Sequence, residues 1–112
     1  MVLSEVVADR AIVSVWDLGG PRARNGNATD DSKKARGFVN TGGGVGDTVT
    51  VFFIGILSGL SGLTIGADYF LSTTPGGITT AAPSTTGGWD QIVGWAITTT
   101  DLFFQPLRGL GL

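Results

Sequence analysis

Apolar residues along this chain come in short bursts that alternate with polar positions and are cut off by clusters of Gly, Pro, Thr and Asp. The first burst runs from Ala11 to Trp16, β-branched at Ile12, Val13 and Val15, and ends in Asp17-Leu18-Gly19-Gly20-Pro21, which predicts a strand followed by a turn. From Arg22 to Lys34 the residues turn polar, and Asn25-Gly26 suits a type I′ turn within a solvated hairpin or loop. Gly37-Phe38-Val39 is a brief apolar stretch ahead of a glycine loop from Thr41 to Asp47. From Asp47 to Leu57, Val49, Val51 and Phe53 alternate with Thr48, Thr50 and Phe52 before both faces become apolar. That pattern predicts a strand whose second half is covered on both sides.

Two near copies, Ser58-Gly59-Leu60 and Ser61-Gly62-Leu63, then predict a tight connection into a strand from Asp68 to Leu71. Pro75-Gly76-Gly77 marks a turn, Ile78 to Thr80 a short strand and Pro83 to Gly88 a second loop. A closing pair of strands follows, Gln91 to Ile97 and Thr100 to Phe104, joined through Thr98 and Thr99. Strict alternation in the first of them sets Ile92, Gly94 and Ala96 on one face and Val93, Trp95 and Ile97 on the other, so Trp95 is expected inside. About seven short strands, with turn signals near every ten residues, predict an all-β fold, a small β-sandwich or barrel. The expected division is a β domain over residues 11–105, an N-terminal arm over 1–10 and a C-terminal arm over 106–112 that carries exposed leucines.

Composition narrows the picture. With 112 residues, 42% hydrophobic and 14% charged, the chain bounds one small domain. Nineteen glycines argue against long helices. His and Cys are both absent, which removes imidazole bases, thiol nucleophiles, disulfides and the usual zinc and iron–sulfur ligands. No enzymatic activity, cofactor, metal or small-molecule substrate is expected. The formal net charge is −2, and the basic cluster of Arg22, Arg24, Lys33, Lys34 and Arg36 is mixed with Asp30 and Asp31. Trp16, Trp89 and Trp95 lie away from it in sequence, so nucleic-acid binding is not expected either. The opening MVLSEVVADR lacks a basic stretch ahead of an apolar one and does not resemble a secretory signal.

The charge-free segment from Thr48 to Ala67 reaches the length of a membrane helix, with Gly55, Gly59, Gly62 and Gly66 at small-residue spacing. Its later half is diluted by Ser58, Ser61 and Thr64, no basic residue lies near either end and no Trp or Lys belt flanks it, so a strand broken by Gly/Ser turns is the preferred reading. The run from Gly42 to Asp47 lacks the Lys and following helix of a phosphate loop, and its Asp comes one position early for a calcium nonapeptide. Asp17, Asp47, Asp68, Asp90 and Asp101 sit at turns or strand ends, where Asp is favoured for local hydrogen bonding.

From Leu60 to Phe104 the order of pieces is GLTIGADYFLSTTPGGITTAAPSTTGGWDQIVGWAITTTDLFF. Leu63 to Ser72, Pro75 to Thr80, Pro83-Ser84, Gln91 to Thr98 and Thr100 to Phe104 resemble the strand and turn pieces of small β domains in tailed-phage virions, of the head-decoration, capsid-cement or head-fibre type. Ala28-Thr29-Asp30 and Ala35 to Val39 resemble that group's upstream pattern. The resemblance implies a non-enzymatic virion structural protein, made in the host cytoplasm, that sits on the outer surface of the capsid and stabilises it by bridging capsid subunits. Its implied partners are the major capsid protein and other copies of itself, with a homotrimer preferred and no membrane. A tail-fibre, baseplate or receptor-contacting module is the alternative. On this reading the contact residues are expected at the termini, Val2, Leu3, Val6, Val7, Leu107, Leu110 and Leu112, with Phe38 and Trp89 as aromatic anchors.

Overall fold

The β-branched run that begins at Ile12 does form the strand around which the first sheet is built. A computed structural model describes residues 1–82, 89–107 and 110–111. The strands, in chain order, are β1 (Val2–Leu3), β2 (Ile12–Asp17), β3 (Pro21–Asn25), β4 (Gly37–Phe38), β5 (Gly55–Leu57), β6 (Asp68–Leu71), β7 (Ile78–Thr79), β8 (Trp89–Asp90), β9 (Ile92–Ala96), β10 (Leu102–Phe104) and β11 (Leu110–Gly111). They form a four-stranded sheet, β1-β3-β2-β4, a five-stranded sheet, β5-β10-β9-β6-β7, and a two-stranded ribbon, β11-β8. Among the described residues there is no α-helix, only a 3₁₀ turn at Asp31–Lys33. The fold is all-β, in keeping with a small β-sandwich.

The larger core lies between the two main sheets. Ile12 and Phe38 from the first, with Ala28 and Ala35 from the β3–β4 connection, meet Leu57, Tyr69, Leu71, Val93, Ala96, Leu102 and Phe104 from the second. Because side chains alternate along β2, Ile12 enters this core while its neighbour Val13 enters a smaller one on the opposite face. Leu3, Val7, Ala11, Ala23 and Val39 complete that second cluster, with Met1, Val49 and Val51 packed against it. The first sheet is therefore covered on both faces, by the second sheet on one side and by residues 1–11 and 39–51 on the other.

This second core changes the expected domain boundaries. The first ten residues are not an arm: β1 pairs in parallel with β3, the Val7 and Gly43 main chains exchange hydrogen bonds of 2.9 Å, and Leu3 and Val7 are buried. The C-terminal segment also returns to the domain. Gln105 and Leu107 donate their N–H groups to Val93 and Ile92, and β11 pairs antiparallel with β8.

Local departures from the expected pattern have similar causes. The β2–β3 hairpin turns at residues 17–21, where the Asp17 carboxylate accepts the Gly20 N–H at 2.9 Å, and not at Asn25-Gly26. Gly26 instead donates to the Ile12 carbonyl and is buried. The strand expected over 47–57 is mostly irregular. Val49 and Val51 alternate in burial because they plug the smaller core, without a continuous ladder beside them. Phe52 bridges to Phe38 in the first sheet, and three residues later β5 joins β10 in the second. The chain changes sheets at Gly55, whose φ of +144° an L side chain rarely adopts.

Candidate docking face

The outward surface of the five-stranded sheet carries the molecule's most distinctive side chains. On β10, Leu102 and Phe104 point into the core, so Phe103 between them must point out. Register then fixes its neighbours: Ile56 on β5 lies opposite Phe103, Phe103 opposite Trp95 on β9, and Trp95 opposite Asp68 on β6. The Trp95 and Phe103 rings meet edge to face, with centroids 6.2 Å apart. This row leaves Ile56 55% and Trp95 44% exposed. Beside it, Phe53 and Ile54 are more than half exposed, and Phe70 and Ile92 are half-buried in the next register position. This contiguous apolar face is the candidate site of the molecule.

Trp95 was expected inside, and a β-bulge puts it outside. The β6–β9 register shifts between Tyr69, opposite Gly94, and Phe70, opposite Ile92, which leaves Val93 as the extra residue. The bulge breaks the two-residue period, so Val93 and Ala96 are both buried although they are three apart, and Trp95 turns to solvent. Likewise, β5 was expected to be covered on both sides, but only Leu57 is; Ile56 is bare.

The residues expected to make contacts scatter. Leu3, Val7 and Phe38 belong to the cores and are not available at the surface. Phe38, 2% exposed, stacks on Phe52 and meets the edge of Phe104, both at 5.3 Å, so it is an anchor between the sheets. Val2 is half-buried, while Val6 and Leu107 are exposed. The Leu107 N–H bonds to Ile92, at the margin of the apolar face. The side chains of Trp89 and Leu110, and the whole of Leu112, lie outside the described residues, as does the loop 83–88.

Polar groups serve the fold. Asp30 caps the 3₁₀ turn, accepting from the Ser32 N–H at 2.9 Å and its hydroxyl at 2.7 Å. These two bonds, with Lys33 and Arg24 nearby, hold its carboxyl below the usual aspartate value. In the glycine loop, the Asp47 carboxylate accepts the Gly44 N–H at 2.8 Å, closing a turn. Arg24 lies over the Trp16 ring, 4.2 Å from its centroid, and the Trp16 indole donates to the Ser4 hydroxyl. No cluster of three or more potential metal-binding side chains occurs among the described residues. A broad hollow lined by Asp9, Arg10, Ser61, Leu63, Tyr69 and Ile78 holds no nucleophile and base in contact, and the Tyr69 hydroxyl is engaged by the Thr64 N–H. Among the described residues no helix is long and apolar enough to cross a membrane.

Comparison with protein-family models, with curated proteins and with solved structures returned no match.

Proposed function

We propose that this chain is a non-enzymatic structural protein of a phage virion, a decoration or cement protein that sits on the outer surface of the capsid and bridges its subunits. One observation carries the reading: the register-aligned row of Ile56, Phe103 and Trp95 gives the five-stranded sheet an exposed apolar surface. Such a surface suits a broad protein partner, because aromatic anchors on a fixed backbone lose little entropy when they are covered. The likeness of residues 60–104 to virion β domains supplies the partner class, the major capsid protein. Bridging then multiplies modest contacts by the number of copies on the shell.

On this reading the contact shifts from the termini to the sheet, with Leu107 and Val6 the exposed members of the original set. The test is co-sedimentation of purified chain with the undecorated heads of the particle that encodes it, followed by cryo-electron localisation. Trp95→Lys is expected to weaken head binding about 30-fold, the cost of a central aromatic anchor. Chain localised to the tail alone would replace the capsid reading with the tail module, and absence from the particle would end both.

A further inference from the structure

Strand β5 is the outermost strand of the five-stranded sheet, with β10 on one side and no described strand on the other. Folded proteins blunt such edges with Lys, Pro, charges or a covering loop, because a bare edge pairs with any strand that reaches it. Here the chain does the opposite. From Thr48 to Ala67 there is no charged residue and no proline, and the stretch from Val51 to Leu57 reads VFFIGIL. Phe53, Ile54 and Ile56 are each more than half exposed, and Phe52 is 38% exposed. Ile56 lies on the edge strand itself, whereas Trp95 sits two strands further in and stays on the open outer face when edges pair.

The edge fits a second copy of itself. With a two-fold axis through Ile56, antiparallel pairing sets Ile56 against the Ile56 of the other copy and Gly55 against its Leu57. Each core-facing Leu57 then stands opposite a residue with no side chain of its own. On the outer face the row from Trp95 through Phe103 to Ile56 runs on into its own mirror sequence, doubling its length. No charge of either sign opposes the approach along this segment.

We propose that two copies of this chain associate through their β5 edges, forming one continuous ten-stranded antiparallel sheet around a two-fold axis. The contact is isologous and uses the single β5 edge of each copy, so it closes at two, in place of the trimer expected from the resemblance. β5 is only three residues long, so the ladder is short and dimer is expected at the upper end of a concentration series. The pairing stands apart from the capsid reading and holds or fails without it.

The test uses the full purified chain. Light scattering across a concentration series is expected to give twice the 11.5 kDa chain mass, and Ile56→Lys is expected to weaken dimerisation at least about 10-fold while the far-ultraviolet spectrum stays unchanged. The chain has no cysteine, so Ile56→Cys supplies one thiol that, across a paired strand, lies within disulfide reach of its mate. Its oxidative cross-linking is expected to run at least about 10-fold faster than that of Val45→Cys, placed on an exposed loop away from the edge. A chain that stays monomeric, a mass of three copies, or equal cross-linking at the two positions overturns the proposal. If Ile56→Lys does not fold, the cysteine pair decides.

Discussion

Gln91 joins three parts of the chain with one side chain. Its amide oxygen accepts the Ala35 N–H at 2.8 Å, and its amide nitrogen donates to the Ala35 carbonyl at 3.0 Å and to the Leu107 carbonyl at 2.8 Å. The first two bonds imitate a backbone ladder between segments 56 residues apart in sequence. Gln91→Ala would leave the Ala35 N–H and carbonyl buried without partners, so a loss of about 3 kcal/mol is expected in urea unfolding. Replacing an exposed threonine such as Thr73 is expected to change stability by less than about 0.5 kcal/mol. Nothing in the sequence marks Gln91, because a lone polar residue at a strand entrance looks the same whether it is solvated or fully enclosed. Trp95 was hidden for a different reason: its neighbours give its parity, and the bulge at Val93 reverses that parity without a local residue that announces it. Phe103 was not singled out, although three consecutive apolar residues at Leu102-Phe103-Phe104 cannot all face one core.

The β9–β10 hairpin shows how far strand patterns carry. Both strands fall where alternation and the Thr-rich turn put them, and the turn is closed by the Thr98 hydroxyl accepting the Thr100 and Asp101 N–H groups. Inside it, Gly94 lies so close to β10 that an added Cβ would sit 2.0 Å from the Phe103 carbonyl oxygen. Gly94→Ala is therefore expected to push the two strands apart and cost about 3 kcal/mol or more, measured as a fall in the urea midpoint with a loss of the Trp95 near-ultraviolet signal. Strands β2, β4, β6 and β7 were equally readable, since each is an apolar burst bounded by turn residues. The stretch 47–54 was not. Alternation reports which side chains are covered, and the smaller core covers Val49 and Val51 without asking for a ladder along the whole segment. β1 was unreadable because two residues in parallel with β3 make no pattern of their own.

At the scale of the whole molecule, the all-β sandwich followed from composition and turn spacing, while the terminal arms did not survive. Apolar residues near a chain end look like free contacts in sequence, yet here Leu3 and Val7 complete the second core and Leu107 is held by Gln91 and Ile92. Ending the chain after Gln105 would remove both Leu107 bonds and the β8–β11 ladder. It is expected to destabilise the domain by about 2–4 kcal/mol in urea unfolding, so any loss of head binding by that variant has to be read against its unfolding curve. The same long-range stitching sets a timetable. Among the described residues β5 has one ladder partner, β10, and Leu57 has to wait for Leu102. During synthesis the uncharged VFFIGIL run leaves the ribosome before the strand that closes its inner side exists, and pairings between such distant segments form slowly. The segment that gives the folded protein its bare edge is thus also its point of greatest exposure to misassembly while the chain is being made, and slowing translation just downstream of it is expected to lower the soluble yield.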